Sequence, residues 1–147
     1  MKVMCYIFDI DGTLADCSHR LPYIQKQPKD WRAFFAACLD DEPILHVCQL
    51  ATHLADAGIE IVYVSGRSDE CRAATEIWIE NHELPEGRVY MRKAGDHRND
   101  DVVKAELLEQ LKADGYAPIM AFDDRDRVVK QWRENGIPCA QVAPGDF

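Results

Sequence analysis

Two aspartates stand two residues apart in Asp9-Ile10-Asp11-Gly12-Thr13, directly after the apolar run Val3 to Phe8. A carboxylate is a poor nucleophile until its charge is masked and its direction fixed, and a second one nearby can bind a metal or handle protons. The pair therefore suggests metal-assisted phosphoryl transfer through an aspartyl-phosphate. An Asp-Gly turn that merely closes a strand would place the same residues there, so the reading needs further groups.

The chain supplies them. A phosphomonoester dianion needs its charge neutralised, its oxygens held, a nucleophile in line and a proton for the departing oxygen. Asp9, Asp11 and the pair Asp123-Asp124 offer hard oxygen ligands suited to Mg²⁺. Ser65 offers a hydroxyl with the N–H that follows it, and Lys104 a point charge for a second phosphate oxygen.

The elements that must carry these groups can be read from the hydrophobic pattern. Short β-branched runs alternate with longer helical stretches, the βαβ signature of a parallel sheet. Strands are expected at Val3 to Phe8, Ile59 to Val64, Arg88 to Met91, Pro118 to Phe122 and Cys139 to Val142. Positions 16 to 42 are irregular and polar around Trp31, Phe34 and Phe35, and read as a small helical cap inserted after the first strand. Pro43 is expected to open the next helix, which Gly58 closes. A further helix runs through Ile77, Trp78 and Ile79, and another carries Lys104 and ends at Gly115. A last one carries Val128, Val129 and Trp132.

Right-handed crossovers give the five expected strands the order 5-4-1-2-3 in a Rossmann-like three-layer α/β sandwich. Ligands of such sheets bind beyond the carboxyl ends of the strands, where the order reverses. Asp9, Ser65 and Asp123 all lie at such ends, so one crevice should collect them. No repeat or linker divides the chain, and residues 1–147 read as one domain.

In type and order these residues resemble the four motifs of the haloacid dehalogenase-like phosphatases: Asp9-Ile10-Asp11-Gly12-Thr13, Ser65-Gly66-Arg67, Lys104 and Asp123-Asp124. Within that superfamily the chain resembles the 3′-phosphatase domain of phage polynucleotide kinase-phosphatases. The likeness lies in Phe8 to Ala15, Val64 to Arg67, Gly95-Asp96, Asp100 to Lys104, Asp123-Asp124-Arg125, Trp132-Arg133, and Gln141-Val142-Ala143 with Gly145-Asp146-Phe147.

The resemblance implies roles. Asp9 is the residue that becomes phosphorylated; Asp11 protonates the leaving 3′-oxygen, then deprotonates the attacking water, while its carbonyl helps hold Mg²⁺. Asp124 binds the metal directly and Asp123 through water. Ser65, Gly66 and Lys104 grip phosphate, Arg20 and Arg67 contact substrate, and Asp100 orients Lys104 or an arginine. Arg20 lies where Cys17-Ser18-His19 departs from the phage pattern, and a surface arginine is the competing reading. No stretch fits the loop G-x-x-x-x-G-K-[ST], so no 5′-kinase activity is expected of this chain, and a separate kinase or ligase is a conceivable partner.

Composition bounds the alternatives. Hydrophobic residues make up 47% of the chain and charged ones 29%, a globular mix. No apolar run reaches the length of a membrane span, and Met1-Lys2-Val3 leads into a strand rather than a leader, so a cytoplasmic protein without membrane contact is expected. Six scattered cysteines with no C-x-x-C pair read as free thiols, mostly buried. A net charge of −9 argues against a broad polyanion surface, so nucleic-acid contact is expected to be local, at a DNA or RNA 3′ end.

Two competing functions stay open: a nucleotidase or general small-molecule phosphomonoesterase, which the acidic charge favours, and a non-catalytic module that binds nucleic-acid ends. The short cap favours an extended substrate, since a large lid would enclose a small one. Trp31, Phe34 and Phe35 suit either base stacking or the centre of the cap, and the latter is preferred.

Overall fold

The computed structural model describes residues 1–147. β1 (Val3–Phe8) alternates its side chains between two helical layers, as strand geometry requires. Cys5 and Ile7 join one core with Val62, Val64, Leu108 and Trp132, whereas Phe8 joins the other with Tyr63, Trp78 and Val47. Both faces of the strand are therefore covered, the condition under which parallel sheets occur.

After β1 the chain makes a short strand β2 (Ala15–Asp16) and one 3₁₀ turn. Helices α1 (Pro22–Gln25) and α2 (Trp31–Ala36), a second 3₁₀ turn, and β3 (Glu42–Pro43) complete the cap. The side chain of Asp30 caps α2 by accepting from Ala33 N at 3.0 Å. Trp31, Phe34 and Phe35 meet with ring centroids 5.5 to 6.0 Å apart; Phe34 is buried at the centre of the cap, Phe35 is half-buried and Trp31 is exposed.

β2 and β3 were not expected. They pair antiparallel, Ala15 with Pro43 and Asp16 with Glu42, and so join the two ends of the cap. Two-residue strands carry no periodicity from which to read them. Pro43 consequently lies in β3 rather than at the head of a helix, and α3 (Leu45–Asp56) starts after Ile44.

Then follow β4 (Glu60–Ser68), α4 (Arg72–Asn81), β5 (Gly87–Arg92), α5 (Asp100–Ala113), β6 (Tyr116–Asp123), α6 (Asp126–Glu134) and β7 (Cys139–Gln141). The main sheet is parallel with order β5-β4-β1-β6-β7. An order written for five strands thus becomes one over seven, because β2 and β3 form a separate ribbon. The first strand is central, with β4 and β5 on one side and β6 and β7 on the other.

β4 runs past the expected Val64. Ser65 pairs with Met91 and Ser68 with Arg92, so Gly66 and Arg67 bulge out of the ladder between them. All six cysteines are free; Cys17 is partly exposed and the other five are buried. No helix is long and apolar enough to cross a membrane.

Candidate active site

Register brings the acids together. Phe8 of β1 pairs with Phe122 of β6, and Asp9 N donates to Phe122 O at 3.0 Å, so Asp9 and Asp123 leave adjacent strands side by side. One carboxylate oxygen from each of Asp9, Asp123 and Asp124 lies within 4.8 Å of the others, all three residues being buried. Lys104, on α5, donates from Nζ to Asp9 Oδ1 and to Asp123 Oδ2, both at 2.8 Å. Thr13 Oγ1 donates to the other oxygen of Asp9 at 2.8 Å.

Three buried carboxylates against one ammonium leave an excess of negative charge. Burial and the neighbouring Asp123 push Asp9 well above the carboxylate range, although Lys104 opposes this. Burial pushes Asp124 up to about 6, with Asp123 adding to the rise. The same acids hold the Lys104 ammonium well above its ordinary value against the opposing effect of burial. An oxygen-rich, over-negative pocket is what a small divalent cation relieves.

The donor set fits Mg²⁺ with unequal roles. Asp123 is saturated: Oδ1 accepts from the backbone N–H of Asp124 and Arg125 at 2.9 and 3.4 Å, and Oδ2 from Lys104 and from Trp132 Nε1 at 3.2 Å. Asp124 has no comparable set of partners and stands over Gly12, where a Cβ would lie 2.1 Å from its Oδ2. Asp124 is thus the carboxylate with ligand capacity to spare.

The side chain of Asp11 is not in this group, contrary to a four-carboxylate metal site. Arg20 Nη2 donates to Asp11 Oδ1 at 2.8 Å, and Arg67 donates to the same oxygen from Nε at 3.0 Å and Nη2 at 2.6 Å. Burial would raise this carboxyl, but Arg67 and then Arg20 together hold it below its ordinary value. The two acids of the first motif therefore stand in opposite environments, one against a lysine and fellow acids, the other between arginines.

Arg20 is not a surface arginine: it is completely buried, with its guanidinium 4.5 Å over the Phe34 ring. Arg67 is buried as well and also donates to Thr75 Oγ1 at 2.9 Å. Both arginines spend their hydrogen bonds on protein groups rather than facing solvent. Ser65 is buried beside Arg67, whose N–H it accepts at 3.1 Å, which leaves its hydroxyl proton free to donate.

Asp100 orients arginines rather than the lysine. It accepts from Arg92 Nη2 on one oxygen and from Arg125 Nη1 at 2.9 Å on the other. A Cβ on Gly66 would stand 2.7 Å from Asp100, and Arg92 Nε donates to Gly66 O at 2.8 Å. Gly66 is therefore the gap into which this acid fits.

Three contributors have site roles that the sequence does not assign them. Asp41, at the far end of the cap, accepts from both Arg20 and Arg67. Thr13, the last residue of the first motif, holds Asp9. Trp132, read as an apolar helix residue, donates to Asp123.

Residues 3–147 match a family model described as the polynucleotide kinase PNKP phosphatase domain. A protein of Autographa californica nuclear polyhedrosis virus, named as a bifunctional polynucleotide kinase/RNA ligase, is 32% identical over 138 residues. That match covers 92% of this chain and 18% of the viral protein. A chain in a structure of a Pnkp1/Rnl/Hen1 complex is 28% identical with a TM-score of 0.86, over 99% of this chain and 47% of that one. The class C acid phosphatase of Bacillus anthracis, at 14% identity, shares the fold with a TM-score of 0.69 over 97% of this chain and 69% of its own. The chain thus spans under a fifth of the viral relative and under half of the chain in the complex.

Proposed function

Because the chain belongs to the family of polynucleotide kinase PNKP phosphatase domains, we propose that it is a Mg²⁺-dependent phosphatase acting on the 3′-phosphate of nucleic-acid ends through an aspartyl-phosphate. The observation that carries this is the division of labour between Asp9 and Asp11. Lys104 and Thr13 fix both oxygens of Asp9, whereas three donors from Arg20 and Arg67 take a single oxygen of Asp11.

In the first step a carboxylate oxygen of Asp9 attacks phosphorus and the bond to the 3′-oxygen breaks, its electron pair leaving with that oxygen. Asp11 supplies the proton that makes the product an alcohol. Asp11 rests ionised, since two guanidinium groups stabilise its charge. An entering phosphate brings negative charge close to it and favours its protonation. In the second step Asp11 takes a proton from water as the water attacks phosphorus, which frees Asp9 and releases inorganic phosphate. The Ser65 hydroxyl and the N–H of Gly66 after it meet phosphate oxygens, and Lys104, now bridging Asp9 and Asp123, is within reach of another. Asp124, Asp9 and the carbonyl of Asp11 would hold Mg²⁺, with Asp123 outside them, and the cation supplies charge neutralisation for phosphate and carboxylates.

The relatives' names, a polynucleotide kinase/RNA ligase and a chain of a Pnkp1/Rnl/Hen1 RNA repair complex, support a nucleic-acid substrate and a repair setting in which kinase or ligase functions accompany this chain, in the same protein or in a separate one. The net charge of −9 favours a smaller substrate instead, and this second reading is tested in the same experiment. Phosphate release is followed from a 3′-phosphorylated oligonucleotide, its 5′-phosphorylated counterpart and a 3′-mononucleotide, with Mg²⁺ and with chelator. The highest kcat/KM is expected for the 3′-phosphorylated oligonucleotide, only with Mg²⁺, and none for Asp9→Asn. Preference for the mononucleotide establishes the nucleotidase reading, and absence of release from all three leaves a binding module.

A further inference from the structure

Asp41 lies 30 positions beyond Asp11 in the sequence, yet it is the second carboxylate of the same buried network. Its side chain has no exposed surface. Oδ1 accepts from Arg20 Nε at 2.8 Å and is 2.7 Å from His19 Nε2, and Oδ2 accepts from Arg20 Nη2 at 2.8 Å and Arg67 Nη2 at 3.1 Å. The pair with Arg20 is bidentate, the geometry that fixes a guanidinium plane as well as its position. Each Nη2 so held is also a donor to Asp11 Oδ1.

The network is closed and charge-balanced, with two arginines between two aspartates. Its other bonds anchor it to two helices: Arg20 Nη1 to Phe34 O of α2 at 3.3 Å, and, on α4, Arg67 Nη1 to Thr75 Oγ1 and Trp78 Nε1 to the carbonyl of Asp41 at 2.9 Å. The β2–β3 ribbon keeps the cap's ends adjacent and so delivers Arg20 and Asp41 to the same place. All three donors to Asp11 converge on Oδ1, which leaves Oδ2 as the oxygen free to exchange a proton with substrate and water.

We infer that Asp41 is the positioning residue for Asp11: by orienting Arg20 and Arg67 it pins one oxygen of the acid/base and presents the other to the leaving group, so the cap acts as a brace behind the site rather than only as a cover over it. The inference deepens the proposed function, resting on its assignment of Asp11 as acid/base. Asp41 meets no reacting atom and acts only through the two arginines.

The test exploits leaving-group chemistry. A 3′-alkoxide needs a proton as it departs, whereas p-nitrophenolate does not. Asp41→Asn keeps size and shape, and the first turnover is followed by rapid mixing, product alcohol from a 3′-phosphorylated oligonucleotide against p-nitrophenol from p-nitrophenyl phosphate. The oligonucleotide rate is expected to fall by about 30-fold or more, a partial loss of the roughly 10²- to 10⁴-fold that general acid catalysis contributes, and the aryl rate by no more than about twofold. The ratio of the two rates does not depend on how much of the variant is folded. Trp78→Phe, which removes the bond to the Asp41 carbonyl without touching the carboxylate, is expected to leave that ratio at its wild-type value.

Equal losses on both substrates, or a Trp78→Phe ratio that moves as far as that of Asp41→Asn, overturn the inference. Wild-type protein that turns over neither substrate overturns the proposed function, and the inference with it.

Discussion

Asp124 Oδ2 occupies the space that any side chain at Gly12 would need, since a Cβ there would stand 2.1 Å away. Gly12 also has φ +84°, in the left-handed region that costs other residues about 1 to 2 kcal/mol. Backbone freedom and room for the neighbour are therefore required at one position, in the turn that separates Asp11 from Thr13.

Gly12→Ala is accordingly expected to act on the metal as well as on stability. The alanine pushes Asp124 from its place while Asp9 stays held by Thr13 and Lys104. The Mg²⁺ concentration for half-maximal activity should rise by about tenfold or more, in line with displacement of a group that orients a metal site. Unfolding free energy should fall by about 1 to 2 kcal/mol. Mg²⁺ titrations of activity and urea melts measure the two effects separately, and an unchanged Mg²⁺ requirement would refute the assignment of Asp124.

Lys104 offers the converse experiment, because it is the one cation hydrogen-bonded within the carboxylate group. Lys104→Met keeps the stem but strands Asp9 and Asp123. Removing one partner of a buried pair costs about 3 to 5 kcal/mol, so urea melts in chelator should show a loss of that order. Mg²⁺ should restore part of the stability without restoring activity, since it returns charge to the acids but no lysine to the phosphate. A loss equally large with and without Mg²⁺ would show that the cation does not bind among these carboxylates.

The parts legible in the sequence were those with strong local patterns. The alternation of Cys5 and Ile7 with Tyr6 and Phe8 marks a strand covered on both faces, and the acids after it mark the end where chemistry occurs. Asp41 was illegible because nothing local distinguishes it from Asp40, its exposed neighbour. Its meaning comes from Arg20 and Arg67, which reach it from elements remote in the chain. The resemblance marks Arg20 and Arg67 for contact with substrate; the fold adds that both converge on Asp11. A charged residue shows in a sequence; the partner that neutralises it does not. The β2–β3 ribbon escaped for the reason that Ala15-Asp16 and Glu42-Pro43 are too short to show a period.

The opposed environments of Asp11 and its neighbours give the metal-free protein a distinctive pH dependence. Asp124 is pushed from 3.8 up to about 6, and Asp9 also lies well above 3.8. Between about pH 4 and 6 the native state then holds protons that the unfolded chain has released, so stability falls as pH rises through this window. Asp11 has the opposite sign: its depressed value contributes stability above 3.8 that is lost as pH falls toward its folded value. In chelator the melting temperature should therefore be a few degrees higher near pH 5 than near pH 7.5, and fall again below about pH 4. Millimolar Mg²⁺ favours the ionised carboxylates and should remove or invert the slope on the alkaline side while leaving the acid limb in place. Melting curves with and without Mg²⁺ across this range measure both limbs. A metal-free protein whose stability rises steadily from pH 5 to 7.5 would show that Asp9 and Asp124 are not the mutually repelling, buried acids on which the metal assignment rests.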